Sequence, residues 1–316
     1  MAVAWQDLKR GPMFFHLPSH KMETKSQEYE FIIKPNRTWF DLELEGFFHY
    51  RDLLFLLVRR DFVAQYKQTV LGPIWLILQP LLGSVVFTII FGFVAGLPTD
   101  GLPTFLFYLC GQLGWNYFSK SYASCAGTLQ QNAGIFGKVY FPRLIPPVSV
   151  CVSNLITYTV QVAVFLGFWI YFQTQEGYTF GFSPWLFALP LVIIQTALLA
   201  MGLGFLMSAL TVKYRDFSQI GGFIMQFMMY CSPIIYPLSL LMGKVKSWEL
   251  KYSIPLEWII HLNPLCYILE MYRLMFLGKA TIPALLPWTS WGLTCILFLA
   301  GLMVFNKIQR TYIDYL

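Results

Sequence analysis

Apolar residues along this chain do not alternate with polar ones; they run in long blocks separated by short polar interruptions. Residues 73–95, 144–172, 184–212, 217–242 and 282–306 carry no charged side chain, and residues 104–127 carry one, Lys120. A helix needs about 20 predominantly apolar residues to cross a bilayer, so each block predicts a transmembrane helix, six in all. The chain is expected to be an all-α polytopic membrane protein.

Two segments break the pattern. Over residues 46–69, Phe47, Phe48, Leu53, Leu54, Leu57 and Phe62 interleave with Arg51, Arg59, Arg60, Asp61 and Lys67. That is too much charge for a span, and it predicts an amphipathic helix along the membrane interface within 46–72. Arg51, Arg59 and Arg60 would then lie near lipid phosphates. Residues 253–278 are apolar but include Glu257, His261, Glu270, Arg273 and Pro264. A charged group at the bilayer centre costs at least about 3 kcal/mol on insertion scales, so this stretch is expected to be a re-entrant segment on the outer side. The expected organisation is a cytosolic extension over 1–45, the interfacial helix over 46–72, and a permease domain over 73–316.

Composition agrees with the blocks. Hydrophobic residues make up 57% of the chain and charged residues 12%, about half of what a soluble domain carries. Loops 96–103 and 173–183 contain no lysine or arginine, whereas Lys138 and Arg143 lie in 128–143 and Lys213 and Arg215 in 213–216. Basic loops stay on the cytosolic side, so both termini are expected there. Lys244, Lys246, Lys251 and Lys279 run against that rule, because the topology puts them outside. The net charge of +6 reads as orientation of the spans and not as a nucleic-acid surface.

The chemistry of sites is sparse. The six cysteines sit in apolar stretches without a C-x-x-C pair, which points to buried small hydrophobes and no metal centre. There is no G-x-x-x-x-G-K-[ST] phosphate loop, and no uncharged span carries a carboxylate for a proton relay. If the protein pumps, its energy enters from another chain. A glycan-modifying enzyme is the rival from a different class, with Glu257, His261 and Glu270 as its acid–base candidates.

Four local sequences carry a resemblance. Residues 60–82 read RDFVAQYKQTVLGPIWLILQPLL and 132–147 read NAGIFGKVYFPRLIPP; KYRDF at 213–217 is followed by YCSPIIYP at 230–237; residues 262–278 read LNPLCYILEMYRLMFLG. Together, over roughly 30–316, the chain resembles the type-2 ABC-exporter permeases of the polysaccharide class, which export O-antigen, capsule or teichoic-acid chains. The resemblance implies a homodimer in the bacterial inner membrane around a central path for lipid-linked glycan. It also implies two ATP-binding-cassette subunits that hold ATP and Mg, with no catalytic residue or cofactor on this chain. Docking of those subunits is expected at Phe136, Lys138, Tyr140, Phe141 and Arg143, and at Lys213 and Arg215. Trp115, Tyr117, Phe118, Lys120 and Tyr122 in the second span, with Phe227 and Tyr230 in the fifth, are candidates for the glycan path, since aromatic faces suit sugar C–H groups. A same-family exporter of a small lipid or drug is the nearer rival.

Overall fold

The computed structural model describes residues 50–67, 72–132, 134, 141–175, 183–214, 216–252 and 257–311, and every regular element among them is helical. Helix α1 (Arg51–Tyr66) turns Leu57 and Val58 inward and half-buries Leu53, Leu54 and Phe62. Its other side exposes Phe55, Leu56 and Val63 beside Arg59. Both sides are thus apolar, one toward protein and one outward, with arginines at the boundary.

Helix α2 (Ile74–Phe87) runs on into a π-helical turn, Thr88–Val94. Pro80 inside it cannot donate a backbone hydrogen bond. The Ser84 hydroxyl donates to the Pro80 carbonyl at 2.9 Å and the Thr88 hydroxyl to the Ser84 carbonyl at 2.7 Å. Such internal pairing is what a lipid-facing backbone requires where water is absent. Helix α3 (Thr104–Ala126) occupies the centre and buries most of its side chains; the short α4 (Thr128–Gln131) and the long α5 (Ile145–Gln175) follow. A 3₁₀ turn (Pro184–Ala188) leads into α6 (Leu189–Lys213), which packs along α11 (Leu286–Thr311). A Cβ added to Gly202 would lie 2.7 Å from the Phe298 Cα, and one on Gly301 would strike the Gly202 carbonyl. These helices touch backbone to backbone, the close approach that small residues permit in membranes.

Four helices among the described residues are long and apolar enough to cross a membrane: Ile74–Val94, Ile145–Thr174, Pro184–Lys213 and Leu286–Ile308. Their outward faces are apolar as well, with Phe93 77% exposed and Trp288 79%. A soluble monomer rarely shows apolar surface on this scale. Helix α3 is long enough at 23 residues but carries Gln112, Asn116 and Lys120.

The uncharged block 217–242 is not one helix, contrary to expectation. Helix α7 covers only Phe217–Cys231, and its 15 residues reach roughly 22 Å at 1.5 Å per residue, short of a bilayer core. Pro233 and Pro237 stop it, because proline neither donates a helical hydrogen bond nor clears the preceding turn. Three further helices follow: α8 (Leu238–Tyr252), α9 (Trp258–His261) and α10 (Pro264–Leu277). Pro264 starts α10 where the sequence pattern suggested a break; the Asn263 side chain accepts from the Leu265 N–H, and Gly278 ends the helix at φ 70°. Left-handed backbone there favours glycine. Helix α10 lies against the middle of α3, where a Cβ on Gly114 would come within 2.7 Å of the Tyr272 ring.

Side-chain contacts sort the chain into two ends. At one, Arg60 Nη2 donates to the Asn132 side-chain Oδ1 at 3.5 Å, and Leu57, Leu129, Phe141, Ile145 and Phe305 share a buried cluster. At the other, Ser239 donates to the Asp100 carboxylate at 2.8 Å, Trp169 Nε1 to the Phe276 carbonyl at 3.0 Å, and Asn263 to the Ser232 hydroxyl at 3.0 Å.

Candidate functional site

Polar side chains inside a membrane protein are costly unless they meet protein or water, and three helices here turn theirs toward one another. Asn116, Lys120, Ser124 and Thr128 recur every fourth residue along α3 into α4, and so do Ser153, Thr157 and Gln161 along α5. Four-residue spacing keeps them on one helix face. Asp61 and Gln65 bring the same spacing from α1. Two cavities lie between these stripes. One, about 330 Å³, is lined by Arg60, Asp61, Lys120, Asn132, Ser153 and Asn154 among others. The other, about 450 Å³, is lined by Gln79, Asn116, Ser119, Lys120, Thr157 and Gln161 among others. Lys120 and Gln65 belong to both walls.

Charge in this chamber is unequal. Arg60 donates from Nε to Asp61 Oδ1 at 2.9 Å, with Nη2 2.7 Å from the same oxygen, while Asp61 Oδ2 is buried without a hydrogen-bond partner among the described residues. Lys120 is half-buried, and no hydrogen bond or ion pair to it is present among the described residues. One arginine and one lysine against one aspartate leave a single positive charge.

A second polar centre lies at the opposite end. Arg273 Nη1 donates to Glu270 Oε1 at 2.6 Å and Nη2 to the Ile234 carbonyl at 3.3 Å, while the guanidinium sits 3.9 Å over the Phe107 ring. Glu270 also accepts from the Leu238 N–H at 3.2 Å and the Thr281 N–H at 3.3 Å. This carboxylate thus ties two backbone points and the Arg273 guanidinium together. His261 bonds the Thr289 hydroxyl at 3.1 Å, and Glu257 is exposed, its backbone N–H donating to Glu249. The three acid–base candidates therefore take separate partners, and no three-residue His, Cys, Asp or Glu metal cluster occurs among the described residues.

The other expected site residues distribute as follows. Trp115, Tyr117, Phe118 and Tyr122 are buried in the core; Tyr117 packs on Tyr158 at 5.5 Å between rings and Trp115 on Phe118 at 5.7 Å. These four rings are enclosed by neighbouring side chains, while Lys120 of the same span stands on the wall of both cavities. Phe227 and Tyr230 on α7 are exposed, at 69% and 50%. Phe141 is buried against Ile145 and Leu129, Arg143 is half-buried, and Lys213 is exposed with Nζ 5.2 Å from the Tyr214 ring centre. Phe136, Lys138, Tyr140 and Arg215 lie outside the described residues. Arg51 and Arg59 are exposed on α1. The chamber itself was not foreseen, although the four-residue polar stripes that build it are visible in the sequence.

Comparison with known proteins gives this arrangement its setting. A family model described as ABC-2 type transporter matches residues 52–277. An O-antigen export system permease protein RfbA of Klebsiella pneumoniae is 26% identical over 272 residues, covering 84% of this chain and 95% of the relative. One of Myxococcus xanthus is 28% identical over 231 residues, 72% of this chain and 82% of the relative. The capsule polysaccharide export inner-membrane protein CtrC of Neisseria meningitidis is 22% identical over 268 residues, 82% of this chain and 92% of the relative. The family match runs from α1 to the end of α10, and with it the chain belongs to the ABC-2 type transporter family as a multi-pass membrane permease.

Proposed function

We propose that this chain is the membrane-spanning subunit of an ATP-driven exporter that moves lipid-linked polysaccharide out across the bacterial inner membrane. The observation that carries the reading is the near-full-length likeness to O-antigen export permeases, which spans 84% of this chain. Two copies pair, and two separate ATP-binding-cassette subunits supply ATP and Mg. The exposed aromatics of α7, Phe227 and Tyr230, support its placement at the partner copy or along the glycan path. The end containing α1, α4 and the start of α5 is cytosolic, as are both termini and residues 1–45.

Six crossings follow: the four long helices, α3, and α7 together with residues 232–237. Residues 238–281 form the outer re-entrant segment, of which 253–278 is the part expected from sequence. The depth of α10 beside the middle of α3 supports that placement. Residues 128–143 and 213–216 dock the ATPase. The test is complementation of a strain lacking its O-antigen permease but retaining the cognate ATPase. Surface polysaccharide detected by antibody on intact cells is the expected result. Glycan retained on the inner face, with a small amphiphile exported instead, would move the assignment to the lipid or drug branch of the family.

A further inference from the structure

We infer that helix α8 is seated in the headgroup layer of the outer leaflet, with Lys244 and Lys246 binding the phosphates of anionic phospholipids. Four exposed tryptophans mark the level of that layer: Trp185, Trp248, Trp258 and Trp288. Gln195 donates to the Ser290 hydroxyl at 2.8 Å and Gly202 meets Phe298, so α6 and α11 run in the same direction. Trp185, in the turn that opens α6, and Trp288, in the first turn of α11, therefore stand at one end. His261 of α9 bonds Thr289 beside Trp288, and the Glu257 N–H donates to Glu249 of α8 at 2.7 Å. Those contacts bring Trp258 and Trp248 to the same end. Tryptophan collects at membrane–water boundaries because its ring is apolar and its N–H is not.

The faces of α8 suit such a boundary. Leu238 and Val245 hold one side to the core. Lys244, Ser247 and Trp248 share an exposed face, and Lys246 and Leu250 another, by the three- and four-residue spacing of a helix. Neither Lys244 nor Lys246 has a side-chain hydrogen bond or ion pair among the described residues. Of the nearby carboxylates, Glu249 is half-buried against the start of α9, and Asp100 accepts from Ser239 at 2.8 and 2.9 Å. Across residues 238–262 three lysines stand against Glu249 and Glu257, a surplus of one positive charge. A cavity of about 480 Å³ opens beside Lys244, lined also by Pro98, Ser239, Leu240, Gly243 and Ser247, which is room for a small ligand. A Cβ on Gly243 would meet nothing within 4 Å, so the backbone there is open to a headgroup. Lysine stems lie along apolar surface while their ammonium groups reach phosphate. Anionic headgroups also account for lysines on the side that the positive-inside tendency disfavours. The choice of leaflet rests on the proposed orientation of the exporter.

The test places the purified full-length permease in nanodiscs of phosphatidylcholine doped with a photoreactive phosphatidylglycerol and maps the cross-links by peptide mass spectrometry. Helix α8 should be labelled. At sub-saturating lipid, Lys244→Gln with Lys246→Gln should lower the yield there by roughly tenfold, as two basic groups beside an anionic surface imply. Labelling elsewhere on the chain provides the internal reference. Lys244→Arg with Lys246→Arg keeps both charges and should keep the yield; an equal loss in that variant would overturn the charge-based site. Unchanged labelling of α8 in the glutamine variant would do the same, and equal labelling by a photoreactive phosphatidylcholine would overturn the preference for anionic lipid. If lipid leaves α8 unlabelled while a soluble oligogalacturonate protects Lys244 and Lys246 from amine acylation, the face belongs to the exiting glycan instead. Both leaflets carry the probe and no transport is read. Loss of the exporter assignment with α8 labelling intact, or the reverse, therefore separates the two readings.

Discussion

Arg273 and Glu270 expose 1% and 2% of their surface, and removing two charges from water is costly unless geometry and further hydrogen bonds compensate. Here the Ile234 carbonyl, the Leu238 and Thr281 N–H groups and the Phe107 ring supply part of that compensation, with Arg273 Nε left unpaired among the described residues. Breaking one member leaves the other charge uncompensated, at about 3–5 kcal/mol. Glu270→Leu should therefore lower the melting temperature in detergent sharply, whereas Glu270→Leu with Arg273→Met should recover much of the loss. If the double variant melts as low as the single, the charge is not the cause. Gly114 works by absence. A valine there would press on the Tyr272 ring, which a Cβ already approaches to 2.7 Å, and overpacking of this kind costs about 1–3 kcal/mol. Tyr272→Leu added to Gly114→Val should restore part of the stability in the same melt.

Among the elements, α1 joins the apolar cluster of Phe141, Ile145 and Phe305 through Leu57 and presents Arg51 and Arg59 outward. Each basic group near an anionic leaflet contributes about 1 kcal/mol. Replacing Arg51, Arg59 and Arg60 by Glu is expected to cut export while leaving the permease folded in detergent; unchanged surface glycan would reduce α1 to a tether. On the proposed docking of the ATPase by residues 128–143, Phe136→Ala with Tyr140→Ala should lose the ATPase subunit in pull-down, since truncating interface anchors typically costs about 2 kcal/mol or more. Phe141→Ala is different in kind, because its ring is buried within this chain; it should lower stability as well. Helix existence was legible in the long uncharged blocks other than 217–242. The break in 217–242 was legible too, in Pro233 and Pro237, but lack of charge masked it. What lies between helices was harder: the aromatics of α3 carry no mark that separates a lining ring from a core ring. The polar stripe Asn116, Lys120, Ser124 and Thr128 did carry one, a four-residue period, and it marks the chamber.

For the whole molecule, the two ends are held by different chemistry, an apolar cluster with Arg60 at one and hydrogen-bonded polar groups at the other. Single cysteines at Asp100 and Ser247 should react with an impermeant thiol reagent on intact cells, and one at Gln131 only after lysis. Labelling of Gln131 from outside would invert the proposed orientation. The exposed lysines of α8, Lys244 and Lys246, fall at the Asp100 end, against the positive-inside tendency. That tendency acts on short loops beside spans, and these lysines belong to the folded helix α8 and not to a short loop. Counting charges by loop could not distinguish the two.

The Glu270–Arg273 clamp also bears on how the protein is made. Of the groups that accept or support these two side chains, Phe107, Ile234 and Leu238 precede them in the chain and only Thr281 follows. When residues 264–277 leave the ribosome, the receiving surface on α3 has already been synthesised. An arginine that could not rest in lipid alone meets its glutamate one helical turn away and its carbonyl already in place. Assembly can proceed from the N-terminus onward, with α10 docking on α3 as it emerges and the Thr281 amide closing the site before α11 begins.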